Sequence, residues 1–196
     1  HIGVVGLNGA GKSTFINIVA GKLVQDDGEI KRQQNLRIGY LDQHATLDKS
    51  QTVMEYLRGA FAHLDEINVR LEKMYEDMGS ASGDALDRLI EKSARLQDLL
   101  DDANYYDLEA QIKKVANGLG VNKFGYESII GNLSGGERAK LMLSKLLLEG
   151  QDLTLLDEPT NFLDVEHVEW LIKYLNGYKK TFLVISHDTV FLNEVA

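Results

Sequence analysis

Residues 6–14 read GLNGAGKST, and this stretch decides the fold. It fits the pattern G-x-x-x-x-G-K-[ST], in which small residues let backbone amides wrap a chain of phosphates. Gly6, Asn8, Gly9, Ala10, Gly11 and Thr14 supply the cradle. Lys12 neutralises the β and γ phosphates, and the Ser13 hydroxyl can ligate Mg²⁺. The apolar run Ile2 to Val5 ahead of it reads as a strand, and TFINIVAGK behind it as a helix. Strand, glycine loop and helix in that order are the context the motif requires.

Two further apolar runs, Leu153 to Leu156 and Thr181 to Ile185, read as buried parallel strands. Each ends in polar residues: DEPTN after the first and SHD after the second. Ligands of open α/β sheets bind outside the carboxyl ends of the strands, so three loaded strand ends pointing one way predict one site. Asp157 is placed to hold Mg²⁺ through its water shell, and Glu158 to orient or deprotonate an attacking water. His187 ends the last strand, where a neutral imidazole can bond the γ phosphate or that water. A fourth strand is expected in LRIGYLDQH, ending at Gln43, which can complete the Mg²⁺ shell or sense the γ phosphate. His44, His63 and His167 have no such setting and receive no role.

Between Gln43 and Leu133 the texture changes. Phe61, Leu64, Leu71, Met74, Tyr75 and Met78 recur at helical spacing, GSASGD interrupts, and Leu86, Leu89, Ile90, Leu96, Leu99 and Leu100 resume. The pattern predicts a helical hairpin over about 60–102, turning on Gly and Ser. A further helix is expected over Asp107 to Asn117, ended by Gly118 and Gly120. The expected architecture is α/β: a P-loop NTPase core with a mostly parallel sheet, interrupted by an α-helical subdomain that contains the hairpin. The core is residues 1–43 and 151–196, the insertion 44–150, with a helix over 134–149. The chain reads as a piece of a longer protein, since it opens on His1 almost inside a strand and stops inside a helix.

That last helix raises a question. In NLSGGERAKLMLSKLLLEG, residues 132–150, Ser134 can cap the helix and Glu137 can complete a capping box. Gly135 and Gly136 leave the amides uncovered. This is a second phosphate-gripping helix end, yet the first already encloses a nucleotide's phosphates. The economical solution is that Ser134 to Glu137 grip a nucleotide held by another domain. The active unit is then a head-to-tail pair with ATP between facing half-sites.

Composition narrows the partners. The formal net charge is −9, with 26% charged and 44% hydrophobic residues and no cysteine. An extended cationic surface is excluded as the main binding device, though a local basic patch is not. Disulfides and thiolate metal sites are excluded, and a reducing compartment fits. No apolar run approaches the roughly 20 residues that span a bilayer, and no signal peptide is evident.

In sum of motifs the chain closely resembles the ATP-binding cassette (ABC) family. GLNGAGKST is similar to the Walker A motif, Gln43 to the Q-loop and LSGGE to the signature motif. LTLLDE is similar to Walker B, NFLD to the D-loop and His187 to the switch histidine. The motifs come in the family's order and span residues 6–192. The resemblance implies a sandwich dimer, with Glu158 as catalytic base and Ser134, Gly135 and Gly136 on the opposing ATP. It adds Asn161 and Asp164 of the D-loop to the nucleotide-binding set, and implies ATP and Mg²⁺ as ligands. YLDQ, DEPTN-x-LD and SHD-x-x-FL are similar to the ABC-F group, whose members carry two cassettes, lack a membrane part and act on the ribosome in the cytoplasm. They do so as translation factors or antibiotic-resistance proteins. Phe162 and Thr189 depart from that group, which usually has His and Arg there. The family's adenine-stacking aromatic lies upstream of the P-loop, outside this chain.

The hairpin resembles the arm that ABC-F proteins add to their first cassette. It reads either as a packed subdomain that supports the signature helix or as a projecting arm. Residues 52–128 hold fifteen Asp/Glu against nine Lys/Arg, so the bulk of the segment is not built for RNA phosphate. An arm is expected to touch a basic ribosomal protein or to use local cations such as Arg88, Lys92 and Arg95. The runner-up function is the nucleotide-binding subunit of a membrane transporter. A small-molecule kinase would need an acceptor pocket and lid in place of LSGGE.

Overall fold

The structure is a computed structural model that describes residues 1–7, 9–41 and 47–196. Its centre is a parallel four-stranded sheet of β1 (Ile2–Val4), β2 (Ile38–Tyr40), β3 (Leu153–Asp157) and β4 (Thr181–Ile185), in the order β1-β4-β3-β2. Val4 sits opposite Ile185 and Asp157 opposite Ile185 from the other side, so the carboxyl ends of β1, β3 and β4 are level. β2 stops at Tyr40, and Leu41 adds one more bond to Leu155. The expected strand end at Gln43 lies outside the described residues.

Strand residues alternate between two apolar layers. Leu155, Leu183 and Ile185 face α1 (Lys12–Ala20) with Ile16, while Leu156, Phe182 and Val184 join the larger core on the other face. Burial on both faces is why these strands read as continuous apolar runs. Thr154, the one buried polar strand residue among the described residues, is satisfied by the Tyr178 hydroxyl at 3.0 Å. α7 (Val165–Asn176) and α8 (Thr189–Val195) complete this face.

From β2 to β3 the chain runs through α2 (Val53–Arg58), α3 (Ala62–Met78), α4 (Asp84–Asp102), α5 (Leu108–Gly118) and α6 (Gly135–Glu149). α3 and α4 form the expected hairpin, turning over 79–83. Leu64, Leu71, Ser93 and Leu100 lie buried along it. Tyr75, Ile90 and Leu99, counted among the apolar stripe in the sequence, are instead 51%, 51% and 52% exposed. The hairpin's base is fixed by Asp65, which accepts from the Tyr105 hydroxyl at 2.8 Å and pairs with Arg58 at 3.5 Å.

α5 ends one residue later than expected, because Gly118 is still helical. A Cβ at Gly118 would lie 1.9 Å from Trp170 Cε2, and one at Gly120 2.3 Å from His167 Nε2. These glycines therefore let α7 approach. Gly120 also takes φ +73°, which glycine adopts without strain.

Candidate active site

The glycine loop turns on Gly9 (φ 81°) and Gly11 (φ 89°), two positions where a side chain would strain the backbone. Gly11 is the N-cap of α1, so the first amides of that helix open toward the loop. Lys12 Nζ donates to the carbonyls of Gly6 at 2.8 Å and Leu7 at 3.0 Å, which holds the ammonium across the loop. Gly9, Gly11, Lys12, Ser13, Thr14, Asp157, Glu158 and His187 line one cleft of about 270 Å³. Three strand ends thus meet, as the alternation of strands and polar tails implied. Ala10 belongs to the loop without lining the cleft, and Asn8 and Gln43 lie outside the described residues.

Glu158 is the most constrained of these residues. Its backbone sits at φ 48°, in the left-handed region, and its amide donates to Ile185 O at 2.9 Å. That bond carries the turn after β3 under the end of β4. One carboxylate oxygen, Oε2, accepts from the His187 amide at 3.2 Å. The other, Oε1, is buried and has no hydrogen-bond partner among the described residues. His187 Nε2 stands 3.2 Å from Oε1, near enough to pair as an imidazolium but without the geometry of a hydrogen bond. A buried carboxylate oxygen left open beside a phosphate loop is suited to receive a proton from a substrate or water.

Ser134, Gly135, Gly136 and Glu137 do not line this cleft. The capping box is formed as read: Ser134 Oγ accepts from the Glu137 amide at 3.3 Å, and Glu137 Oε2 accepts from the Ser134 amide at 2.7 Å. The Ser134 backbone bond, then its side-chain bond, holds the Glu137 carboxyl below the usual range. Gly135 and Gly136 are exposed, with nothing within 4 Å of the place a Cβ would take. The helix end is therefore rigid, anion-compatible and open.

Asn161 and Asp164 also lie apart from the cleft. Asn161 is exposed, and its amide closes a turn onto Glu158 O at 3.3 Å. Asp164 is the N-cap of α7 but makes no capping bond; its carboxylate meets Lys140 Nζ of α6 at 3.4 Å. His167, which had no role in the sequence, is buried and structural. Its Nδ1 lies 3.0 Å from Gly118 O, and its Nε2 3.4 Å from Lys123 Nζ. A carbonyl can only accept and an ammonium only donate, so these partners fix the Nδ1–H tautomer. The signal was available: His167, Leu171 and Leu175 share the buried stripe of α7. Lys140 was likewise missed, although it precedes buried Ser144 and Leu147 at helical spacing.

For Mg²⁺ the donor chemistry fits. Ser13 and Asp157 offer hard oxygens at the cleft, and among the described residues no three or more His, Cys, Asp or Glu are placed to hold a metal ion by themselves. Such a sparse set suits an ion that keeps waters and takes its other ligands from nucleotide phosphates.

The family model described as ABC transporter matches residues 1–161. A Bacillus subtilis (strain 168) protein named "Uncharacterized ABC transporter ATP-binding protein YfmM" is 44% identical over 195 residues, 100% of this chain and 38% of that protein. "Energy-dependent translational throttle protein EttA" of Escherichia coli (strain K12) is 39% identical over 195 residues, 100% of this chain and 35% of that protein. The chain thus spans well under half the length of these relatives. Among solved structures, "RNase-L Inhibitor" has TM-score 0.64 at 26% identity, over 100% of this chain and 30% of that one. "Structure of ATP binding subunit of ABC transporter" has TM-score 0.66 at 20% identity, over 100% of this chain and 71% of that one, a likeness of fold. No helix among the described residues is long and apolar enough to cross a membrane. A phosphate loop with its acidic strand end, a capped glycine helix end outside that cleft and this set of matches have one common reading: the chain is an ATP-binding cassette and belongs to the ABC transporter family.

Proposed function

We propose that this chain is one cassette of an ABC-F type protein that hydrolyses ATP on the ribosome, in a head-to-tail sandwich with a second cassette. We take residues 1–43 and 151–196 as its ATPase core and 44–150 as the inserted helical part. The observation that carries the sandwich is the separation of two phosphate-type features. The cleft at Lys12 and Glu158 excludes Ser134 to Glu137, and the glycines of that helix end face open space. In this reading Ser134, Gly135, Gly136 and Glu137 close on the nucleotide of the partner cassette, and the partner's equivalents close on the nucleotide held here.

Hydrolysis is then an in-line attack of water on the γ phosphorus. Glu158 Oε1, the open oxygen, takes the water's proton, while the His187 amide keeps the carboxylate aimed through Oε2. Lys12 exchanges its bonds to Gly6 and Leu7 for β and γ phosphate oxygens and offsets charge there. Ser13, Asp157 and Gln43 would hold Mg²⁺, which when bound neutralises charge on the β and γ oxygens. His187, beside Oε1, senses whether the γ phosphate is present.

The ribosome enters through relatives. At 39% identity one is named a translational throttle protein, and a solved structure at 26% identity is a complex of "archaeal ribosomal stalk protein aP1 and archaeal ribosome recycling factor aABCE1". The hairpin fits an arm: the 19 residues of α4 give it a length of roughly 28 Å. Its exposed Arg88 and Lys92, with Tyr75, Ile90 and Leu99, offer local contacts on an otherwise acidic segment. Translation and antibiotic resistance are both within the group's range, and the cytoplasm is its compartment.

The test is co-sedimentation of the full-length protein carrying Glu158→Gln, and its equivalent in any second cassette, with ribosomes. Removing the base while keeping ATP affinity should trap the closed form, so the protein pellets with ribosomes only when ATP is present. Protein left in the supernatant with ATP would refute the ribosomal reading and put the transporter subunit first.

A further inference from the structure

We propose that Ser186 is a positioning residue for hydrolysis: its buried hydroxyl fixes the turn whose backbone amide aims the Glu158 carboxylate. This role rests on Glu158 being the base that takes the water's proton.

The hydroxyl stands in an unlikely place. β4 ends in the buried apolar residues Phe182, Leu183, Val184 and Ile185, and Ser186 follows them at 0% exposure. Alanine would fill nearly the same space with no hydroxyl to desolvate, so the oxygen is held there by what it bonds. The other buried hydroxyls among the described residues have ordinary packing partners. Ser93 and Ser144 donate to carbonyls of their own helices, and Thr154 meets Tyr178. Ser186 Oγ instead accepts from the Asp188 amide at 3.1 Å. That bond closes a small turn with His187, a residue of the cleft, at its middle.

The residues on either side of Ser186 both hold Glu158. Ile185 O accepts from the Glu158 amide at 2.9 Å, and the His187 amide donates to Glu158 Oε2 at 3.2 Å. The first bond fixes the backbone of the base and the second its carboxylate, which leaves Oε1 as the free oxygen. The aim of the second depends on the peptide plane that joins Ser186 to His187. With Oγ bonded two residues on, that plane has one orientation, and its N–H faces Oε2. The far side of the turn is anchored too: Asp188 Oδ1 accepts from the amide of Phe191, itself buried, at 3.0 Å. The His187 imidazole, 51% exposed, can turn toward a nucleotide while its amide keeps hold of Glu158. Ser186 does not line the cleft and touches no reacting group; it acts through the backbone of His187.

The experiment uses the full-length protein. Ser186→Ala, Ser186→Thr, Glu158→Gln and the Ser186→Ala/Glu158→Gln double variant are compared for ATPase kcat and KM and for single-turnover rate. Kd of a fluorescent ATP analogue and melting temperature are measured alongside. Ser186→Ala is expected to lower kcat about tenfold, with KM and Kd within about twofold. Ser186→Thr, which keeps Oγ, should recover most of the rate. With the base already removed there is nothing left to aim, so the double variant should be no slower in a single turnover than Glu158→Gln alone. An unchanged kcat in Ser186→Ala, nucleotide affinity that falls with kcat, or losses that multiply in the double variant would each overturn the assignment. Should Ser186→Ala fail to fold, Ser186→Cys decides, since it keeps the size and offers only a weak acceptor; a kcat equal to the parent's would then overturn it. If Glu158→Gln hydrolyses ATP at the parent's rate, the reading of Glu158 as base fails and the role of Ser186 with it. If Glu158→Gln is inactive while Ser186→Ala matches the parent, only the role of Ser186 fails.

Discussion

Replacing Gly118 by Ala tests how closely α5 and α7 pack. On propensity alone the change favours the helix, by at most about 1 kcal/mol, and φ at Gly118 is one that alanine accepts. The packing term opposes it. The new Cβ would stand 1.9 Å from Trp170 Cε2 and 2.2 Å from Cδ2, far inside ordinary contact, so the indole must shift. Overpacking of this kind costs about 2 kcal/mol. Trp170 is stacked on Tyr174 with centroids 5.0 Å apart, and disturbing that pair costs about 1 kcal/mol more. The net is a destabilisation of about 2 kcal/mol, or a melting temperature lower by roughly 4–8 °C for a chain of this size. Thermal unfolding followed by circular dichroism measures it. The double variant with Trp170→Phe, which thins the obstacle, should be less destabilised than the sum of its parts by about 1 kcal/mol. A Gly118→Ala protein as stable as the parent, or more so, would refute the packing argument and leave helix termination as the reason for the glycine.

Two other outcomes are expected. Burial, with a smaller contribution from Glu149 at Tyr56 and from Tyr178 at Tyr174, pushes both phenols up to about 12 from an ordinary value near 10. Both stay protonated in the folded chain where the unfolded chain ionises. Their stabilisation is complete below about pH 10 and lost as pH rises toward about 12, so melting temperature should fall across that window and ultraviolet titration should find two late phenols. Lys12→Met removes the one Lys or Arg that lines the phosphate cleft among the described residues. Equilibrium binding of a fluorescent ATP analogue should weaken by at least about tenfold, the range of one charge-assisted bond, without a matching loss of melting temperature.

Much of this molecule was legible because its signals are local. The glycine loop, the apolar strands with polar tails and the Ser134–Glu137 capping box each lie within a few residues, and the structure realises them as read. The α3–α4 hairpin followed from periodicity, but Tyr75, Ile90 and Leu99 lie outside its packed seam. A helix stripe blurs when apolar residues also sit on the outer face. Gly118 looked like a stop signal, and what it answers is an indole fifty-two positions further along the chain. His167 and Lys140 were silent for the same reason. Their partners at Gly118, Lys123 and Asp164 are neighbours only after the helices have packed. Asp164 is named by its motif alone, and the neighbour of its carboxylate, Lys140 at 3.4 Å, comes from another helix.

The strand order has a consequence in time. Among the described residues β1 pairs only with β4, so Ile2, Gly3 and Val4 find their hydrogen-bond partners at Leu183, Val184 and Ile185. A ribosome making this chain releases the phosphate loop well before the strand that β1 pairs with, which emerges some 180 residues later. Until then the helices between β2 and β3 can assemble from contacts near in sequence, while β1 bears the entropy of the longest loop closure in the sheet. The loop that grips the nucleotide is made long before the strand that seats it.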